Sequence, residues 1–159
     1  CHQTYKNSRN DLITKSVGTG FDRALYATYL SYISPEDFSY SLKKHEDDRG
    51  SFVEVLKTKN SGQFSFFTAN PGVVRGGHYH HTKSEKFLVI SGKALFRFRN
   101  ISTNDYHELE VSDENLEIVE TVPGWIHDVK NIGSDQLYVL LWANEIFNPN
   151  IPDTYQRQI

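Results

Sequence analysis

Methionine is missing altogether from the 159 residues, and cysteine occurs once, at Cys1. A lone cysteine cannot close a disulfide within the chain, which suits a reducing cytoplasm. A chain without methionine is expected to be a piece of a longer one. Long apolar runs are missing too. The longest, Leu137 to Ala143, is about a third of a membrane span, and no charged-then-apolar leader precedes a small-residue cleavage site. The chain therefore reads as a soluble, cytoplasmic protein with no membrane partner. Positive charge is scarce: 17 Lys and Arg stand against 20 Asp and Glu without a basic block, which excludes a nucleic-acid partner. No Gly-x-Gly-x-x-Gly occurs, so NADPH is not expected to bind these residues.

What is present fits one globular domain large enough to bury roughly 70% of its unfolded surface, so a metal here would serve function rather than folding. The first third carries Phe21, Ala24, Leu25, Thr28 and Tyr29 at helical spacing, and Ser34-Pro35 stops the run, which predicts a helix over Phe21–Ile33. The charged stretch Lys43 to Arg49 can serve a surface but not a core, and a domain junction is placed there. From Gly50 onward, short runs rich in Val, Ile, Phe and Tyr alternate with turn residues. They predict strands at Ser51–Lys57, Gln63–Thr68, Val73–His80, Lys86–Ser91, Ala94–Asn100, Tyr106–Val111, Glu117–Thr121, Ile126–Ile132 and Gln136–Ala143. About nine strands imply an antiparallel sandwich or barrel, an all-β fold with a short N-terminal helical segment.

Four of the seven histidines fall in two places, His78/His80/His81 and His127, and Glu85 follows the first group. Residues two apart on a strand share a face, so His78 and His80 can converge on one ion. Glu85 joins that face only if the polar stretch His81-Thr82-Lys83-Ser84 turns and resets the register. His127 is the first inward residue after the Pro123-Gly124 turn. Three imidazoles and a carboxylate suit zinc, iron, nickel or manganese and leave positions open for water or substrate.

The spacing Gly72-x5-His78-x-His80-x4-Glu85-x6-Gly92 resembles the first cupin motif position for position. Gly124-x2-His127-x3-Asn131 resembles the second, with its proline one place late at Pro123 and its leading glycine absent. The resemblance implies a cupin jelly-roll barrel with His78, His80, Glu85 and His127 around a metal in its mouth. Asp48-Arg49-Gly50-Ser51-Phe52-Val53-Glu54 and Val74-Arg75-Gly76-Gly77-His78-Tyr79 resemble two signatures of the dTDP-4-keto-sugar 3,5-epimerases, themselves cupins. That likeness implies that Arg49 and Glu54 hold the nucleotide end of a sugar nucleotide, that Arg75 contacts substrate, and that His78 is the base. Where those epimerases carry an enolate-stabilising lysine this chain has Glu85, and a metal held by that carboxylate can replace the lysine. Tyr138 is the implied general acid. One nitrogen cannot both bind metal and take a proton from carbon, so His81 is the substitute base if His78 is a ligand.

The whole segment, including Phe21 to Ile33 and the closing Asn144 to Pro149, is similar to the C-terminal part of the two-domain enzymes of capsular polysaccharide synthesis, which join a short-chain reductase to a zinc cupin. This implies that residues 1–45 are the tail of a reductase domain plus linker and 46–159 a zinc cupin, with NADPH confined to the missing N-terminal domain. The implied activity is C3 epimerisation of a UDP-linked 2-acetamido-4-keto-6-deoxyhexose on the way to UDP-N-acetyl-L-fucosamine. The alternatives are a non-catalytic cupin that binds sugar nucleotide and dimerises the parent enzyme, and an iron-dependent oxygenase. Antiparallel edges and aromatic content lead to the expectation of a homodimer.

Overall fold

The alternation that begins at Gly50 folds into two facing sheets. The computed structural model describes residues 8–159, so Cys1 lies outside the described residues. In chain order the elements are β1 (Ile13–Thr14), α1 (Gly20–Ser31), β2 (Lys44–Asp47), β3 (Gly50–Thr58), β4 (Gly62–Ala69), β5 (Val74–Tyr79), β6 (Glu85–Ser91) and β7 (Lys93–Asn100). They continue as β8 (Tyr106–Ser112), β9 (Ile118–Glu120), β10 (Trp125–Asn131), β11 (Leu137–Ala143) and β12 (Tyr155–Gln156). One sheet runs β1-β3-β4-β11-β6-β9, with β2 also on β3; the other runs β12-β5-β10-β7-β8. Every pairing is antiparallel except β1 with β3. This is the expected all-β architecture with a short N-terminal helix.

Inward residues from both sheets make one core. Phe67 and Ala69 on β4, Phe87 and Val89 on β6, and Leu137 and Val139 on β11 meet Ala94, Phe96 and Phe98 on β7 and Val129 on β10. Phe87 sits at the centre, edge-on to Phe96 at 5.6 Å and to Phe67 at 6.3 Å. Its other side faces the His127 ring at 6.4 Å, so the floor of the histidine cluster is the top of the core. Asn131, at the far end of β10, is buried because it ties three backbone segments together. Its amide donates to the carbonyls of Ala69 and Asp135 at 2.8 Å each and accepts from the Gly133 N–H at 2.9 Å.

Three strands have no counterpart in the sequence reading. β1 and β12 have two residues each, too short to show alternation. β2 runs through the charged stretch where a junction is expected, with all four of its residues exposed. Pairing along β3 uses only backbone groups, so a strand of solvated Lys, His, Glu and Asp side chains is compatible with a sheet edge. Helix α1 buries none of its residues and lies outside the core.

Candidate metal centre

Two local devices aim the ligands. On β5, Arg75 pairs with Val129, Gly76 with Asp128 and His78 with His127, which leaves Gly77 as the extra residue of a bulge. The bulge lets Arg75 and His78, three apart, line the same hollow. Only glycine serves here: Gly76 and Gly77 have φ of 103° and 78°. A Cβ on Gly76 would also stand 2.9 Å from the His127 carbonyl oxygen. The second device is the turn from His81 to Ser84, which delivers Glu85 to the inward face of β6. There the Glu85 N–H donates to Thr121 Oγ1 at 3.0 Å, and the Thr121 N–H donates back to the Glu85 carbonyl at 2.9 Å.

Ligand atoms of His78, His80, Glu85 and His127 all lie within 4.8 Å of one another. His80, Glu85 and His127 are buried, with relative exposures of 1%, 7% and 3%. Glu85 Oε2 is 3.2 Å from His80 Nε2 and 3.4 Å from His127 Nε2. The opposite ring nitrogens face main-chain carbonyls: His80 Nδ1 meets Asp153 O at 2.5 Å and His127 Nδ1 meets Trp125 O at 3.3 Å. A carbonyl only accepts, so each Nδ1 carries a proton, and a neutral ring then turns the bare lone pair of its Nε2 toward the carboxylate. Among the described residues the buried Nε2 of His127 has no hydrogen-bond partner. Two imidazole lone pairs and a carboxylate oxygen pointing at one another repel unless a cation lies between them. The donor set therefore fits a borderline divalent ion such as zinc. The His78 ring packs against His80 and His127 at 5.0 and 4.7 Å between centroids, and among the described residues no such carbonyl fixes it.

Burial, reinforced by the neighbouring His127, pushes His78 down to about 3, so it stays neutral. For Glu85, burial favours the neutral acid, but positive charge at the facing His127 and His80 nitrogens, a proton or a cation in its place, and the Lys83 ammonium outweigh it and hold the carboxyl well below the usual carboxylate range.

The cluster stands between two hollows that share His78, Glu85 and Leu141. One, of about 280 Å³, is rimmed by Arg49, Arg75 and Gln156. Arg75 is half-buried over the Phe67 ring and donates to the Thr68 carbonyl at 3.3 Å. Burial and then the charge of Arg49 lower its pKa, as expected for a cation short of an anion. Asp47, at 2.6 Å, partners Arg49. The other hollow, of about 320 Å³, holds Glu54, Gln63, Lys83 and Phe147.

The structure thus gathers His78, His80, Glu85 and His127, with Arg49 and Arg75 beside them. Glu54 lies in the opposite hollow from the arginines, ion-paired with Lys57 at 2.8 Å and accepting from Gln63 at 3.2 Å. Two placements correct the sequence reading. The His81 ring is exposed and packs on Tyr155 and Tyr79, at 4.7 and 5.4 Å, because the turn carries it off the inward face. Tyr138 points outward between the buried Leu137 and Val139. It also sits five residues along β11 from Ala143, the partner of Glu85, so it stands about 17 Å from the mouth. Lys83 went unread in the sequence. It is buried, with Nζ 3.4 Å from Glu85 Oε1. The one available signal was a lysine two residues from the position where the epimerases carry theirs.

The chain is similar to several known proteins. The family described as polysaccharide biosynthesis C-terminal domain matches residues 45–155. Over 151 residues the chain is 60% identical to the UDP-2-acetamido-2,6-beta-L-arabino-hexul-4-ose reductase of Pseudomonas aeruginosa, covering 95% of this chain and 41% of that protein. The capsular polysaccharide assembling protein CapF from Staphylococcus aureus superimposes with a TM-score of 0.95 at 43% identity, over 99% of this chain and 42% of that one. The Drosophila melanogaster CENP-C cupin domain, with a TM-score of 0.55 at 10% identity over 65% of this chain and 75% of its own, shares the fold alone. The chain spans about two fifths of the length of the first two relatives. Its fold is a cupin barrel like the C-terminal part of CapF, and with the match reaching from β2 to β12 across all four residues of the cluster, the chain belongs to the polysaccharide biosynthesis C-terminal domain family.

Proposed function

We propose that this domain epimerises C3 of a UDP-linked 2-acetamido-4-keto-6-deoxyhexose in capsular polysaccharide precursor synthesis, with a divalent cation, zinc by preference, held by His80, Glu85 and His127. The observation that carries the reading is the pair of histidines whose Nε2 lone pairs are aimed at Glu85 while His78, neutral and free of a carbonyl, stands beside them. A cation bound there would supply the Lewis acidity that polarises the C4 ketone and acidifies the adjacent C3–H, which is what a weakly basic His78 requires. His78 takes the C3 proton, and solvent returns one to the opposite face of the enediolate, so that the epimer carries a hydrogen from water. Arg49 and Arg75, two cations in one hollow with a single carboxylate between them, hold the diphosphate of the nucleotide. The reduction that follows, with its NADPH, belongs to the part of the longer relatives that this chain does not match.

The test is run in deuterated water with the UDP-linked keto-sugar. The wild type introduces one deuterium at C3, and His78→Ala loses the exchange while retaining its zinc. Loss of zinc together with exchange in that variant would make His78 a ligand. Unexchanged sugar that still binds would favour the non-catalytic cupin, and oxygen uptake the oxygenase.

We also propose that the domain forms a homodimer through the outer face of β4, β11 and β6. Phe64, Tyr138 and Ile90 are 40%, 38% and 50% exposed there, beside partly exposed Leu88, Leu140 and Trp142, a contiguous apolar surface that a monomer rarely leaves to water. Sedimentation at micromolar concentration should give twice the 18.3 kDa chain mass, and Leu140→Asp should halve it. A wild-type mass of one chain would refute the dimer.

A further inference from the structure

We propose that the C-terminal segment from Asp153 to Arg157 completes the candidate metal centre, with Asp153 as the positioning residue for both His80 and Glu85. This rests on the reading that the cluster holds a divalent cation. The Asp153 carboxylate gathers the turn between those two ligands: its oxygens accept from the backbone N–H groups of His81, Thr82 and Lys83 at 2.9, 2.7 and 2.8 Å, and from Thr82 Oγ1 at 2.8 Å. Those donors belong to the four residues that must turn for Glu85 to face inward, so the carboxylate sets the register of the ligand that follows. The main-chain carbonyl of the same residue receives His80 Nδ1–H at 2.5 Å, which settles the tautomer and the ring plane and leaves Nε2 as the inward atom.

The rest of the segment runs along the ligand-bearing strand. β12 pairs Tyr155 with Tyr79 and Gln156 with His78, the Arg157 N–H donates to the Gly77 carbonyl at 2.9 Å, and Tyr155 stacks on Tyr79 at 5.3 Å. Thr154 Oγ1 accepts from Lys83 Nζ at 3.2 Å, the ammonium that also faces Glu85. Residues 147–152, which lead into the segment, are exposed, with the Phe147 N–H donating to Gln63 Oε1 at 3.4 Å, so the segment itself is held by its contacts at the cluster. Docking of the segment and binding of the cation are therefore coupled, each favouring the other by the same factor.

Zinc affinity is measured by competition with a chromophoric chelator. Asp153→Ala is expected to weaken binding about 10- to 100-fold, the usual effect of removing a group that orients a ligand. Asp153→Asn, which keeps the carbonyl and one acceptor oxygen, should lose less, and a chain ending at Pro152 at least as much as Asp153→Ala. In the zinc-loaded wild type, long-range ¹⁵N–¹H correlation should show His80 protonated on Nδ1 and zinc on Nε2, a readout that does not depend on any variant folding. Zinc on His80 Nδ1, or affinity unchanged in Asp153→Ala and the shortened chain while His80→Ala loses it, overturns the inference alone. Affinity unchanged in His80→Ala overturns the metal centre and the inference with it.

Discussion

Replacing His127 with alanine should lower zinc affinity by more than a hundredfold and leave the barrel folded. Structural zinc in zinc-finger peptides is worth roughly 10 to 16 kcal/mol; on that scale one of three ligands accounts for about 3 to 5 kcal/mol, and each 1.4 kcal/mol is a factor of ten. Folding does not rest on that energy. The core of Phe67, Phe87, Phe96, Val89, Leu137 and Val139 closes beneath the cluster without using it. The variant should therefore still melt cooperatively, lower by the few kcal/mol that a cavity above Phe87 costs. The decisive comparison is a melt with and without chelator. At zinc a hundredfold above its dissociation constant, bound metal stabilises the wild type by about 2.7 kcal/mol, which for a chain of this length is roughly 5 to 10 °C. Chelator should lower the wild type by that amount and leave His127→Ala where it was. One zinc per chain retained by the variant would remove His127 from the ligand set, and a chelated wild type that unfolds at room temperature would make the metal structural.

The gathering of His78, His80, Glu85 and His127 was legible because its geometry is local. Strand alternation joins His78 to His80, a polar turn brings in Glu85, and a second turn presents His127; none of this needs knowledge of distant segments. The bulge at Gly76-Gly77, which brings Arg75 and His78 to one hollow across an odd interval, is also local but was not read from the sequence. Tyr138 was illegible for a definite reason. In the run Leu137 to Ala143 both alternating sets are apolar, so inside and outside cannot be told apart until Leu137 and Val139 are seen to be buried. Asp153 was hidden by separation, since its partners lie 70 or more residues away and no periodicity links them. Glu54 carried the expected chemistry but faces the other hollow, because the β3 register places it opposite Ser65 and beside Gln63.

Metal-free protein should lose stability on mild acidification, and His78 should be the cause. Its ordinary value is near 6.5 and the folded chain pushes it down to about 3, through burial first and His127 second. Above pH 6.5 the ring is neutral whether folded or unfolded, and its burial has no pH-linked cost. Between pH 6.5 and 3 the unfolded chain binds a proton there that the folded chain refuses, so stability rises with pH and falls as acid is added. From pH 6.5 to 5 the loss is roughly 1.5 to 2 kcal/mol. Glu85 does not blur this window. Its carboxyl is held below an ordinary value of 4.5, so its contribution is complete above that value and is lost only at lower pH. Urea denaturation of the chelated wild type and of His78→Gln at pH 6.5 and 5.0 isolates the effect, and the wild type should lose the larger amount by that margin. Equal losses in both chains would mean that His78 titrates as though exposed. Zinc must be absent from the measurement, since protons displacing a bound cation from His80 and His127 would destabilise in the same direction, and only the metal-free chain shows what the buried ring alone contributes.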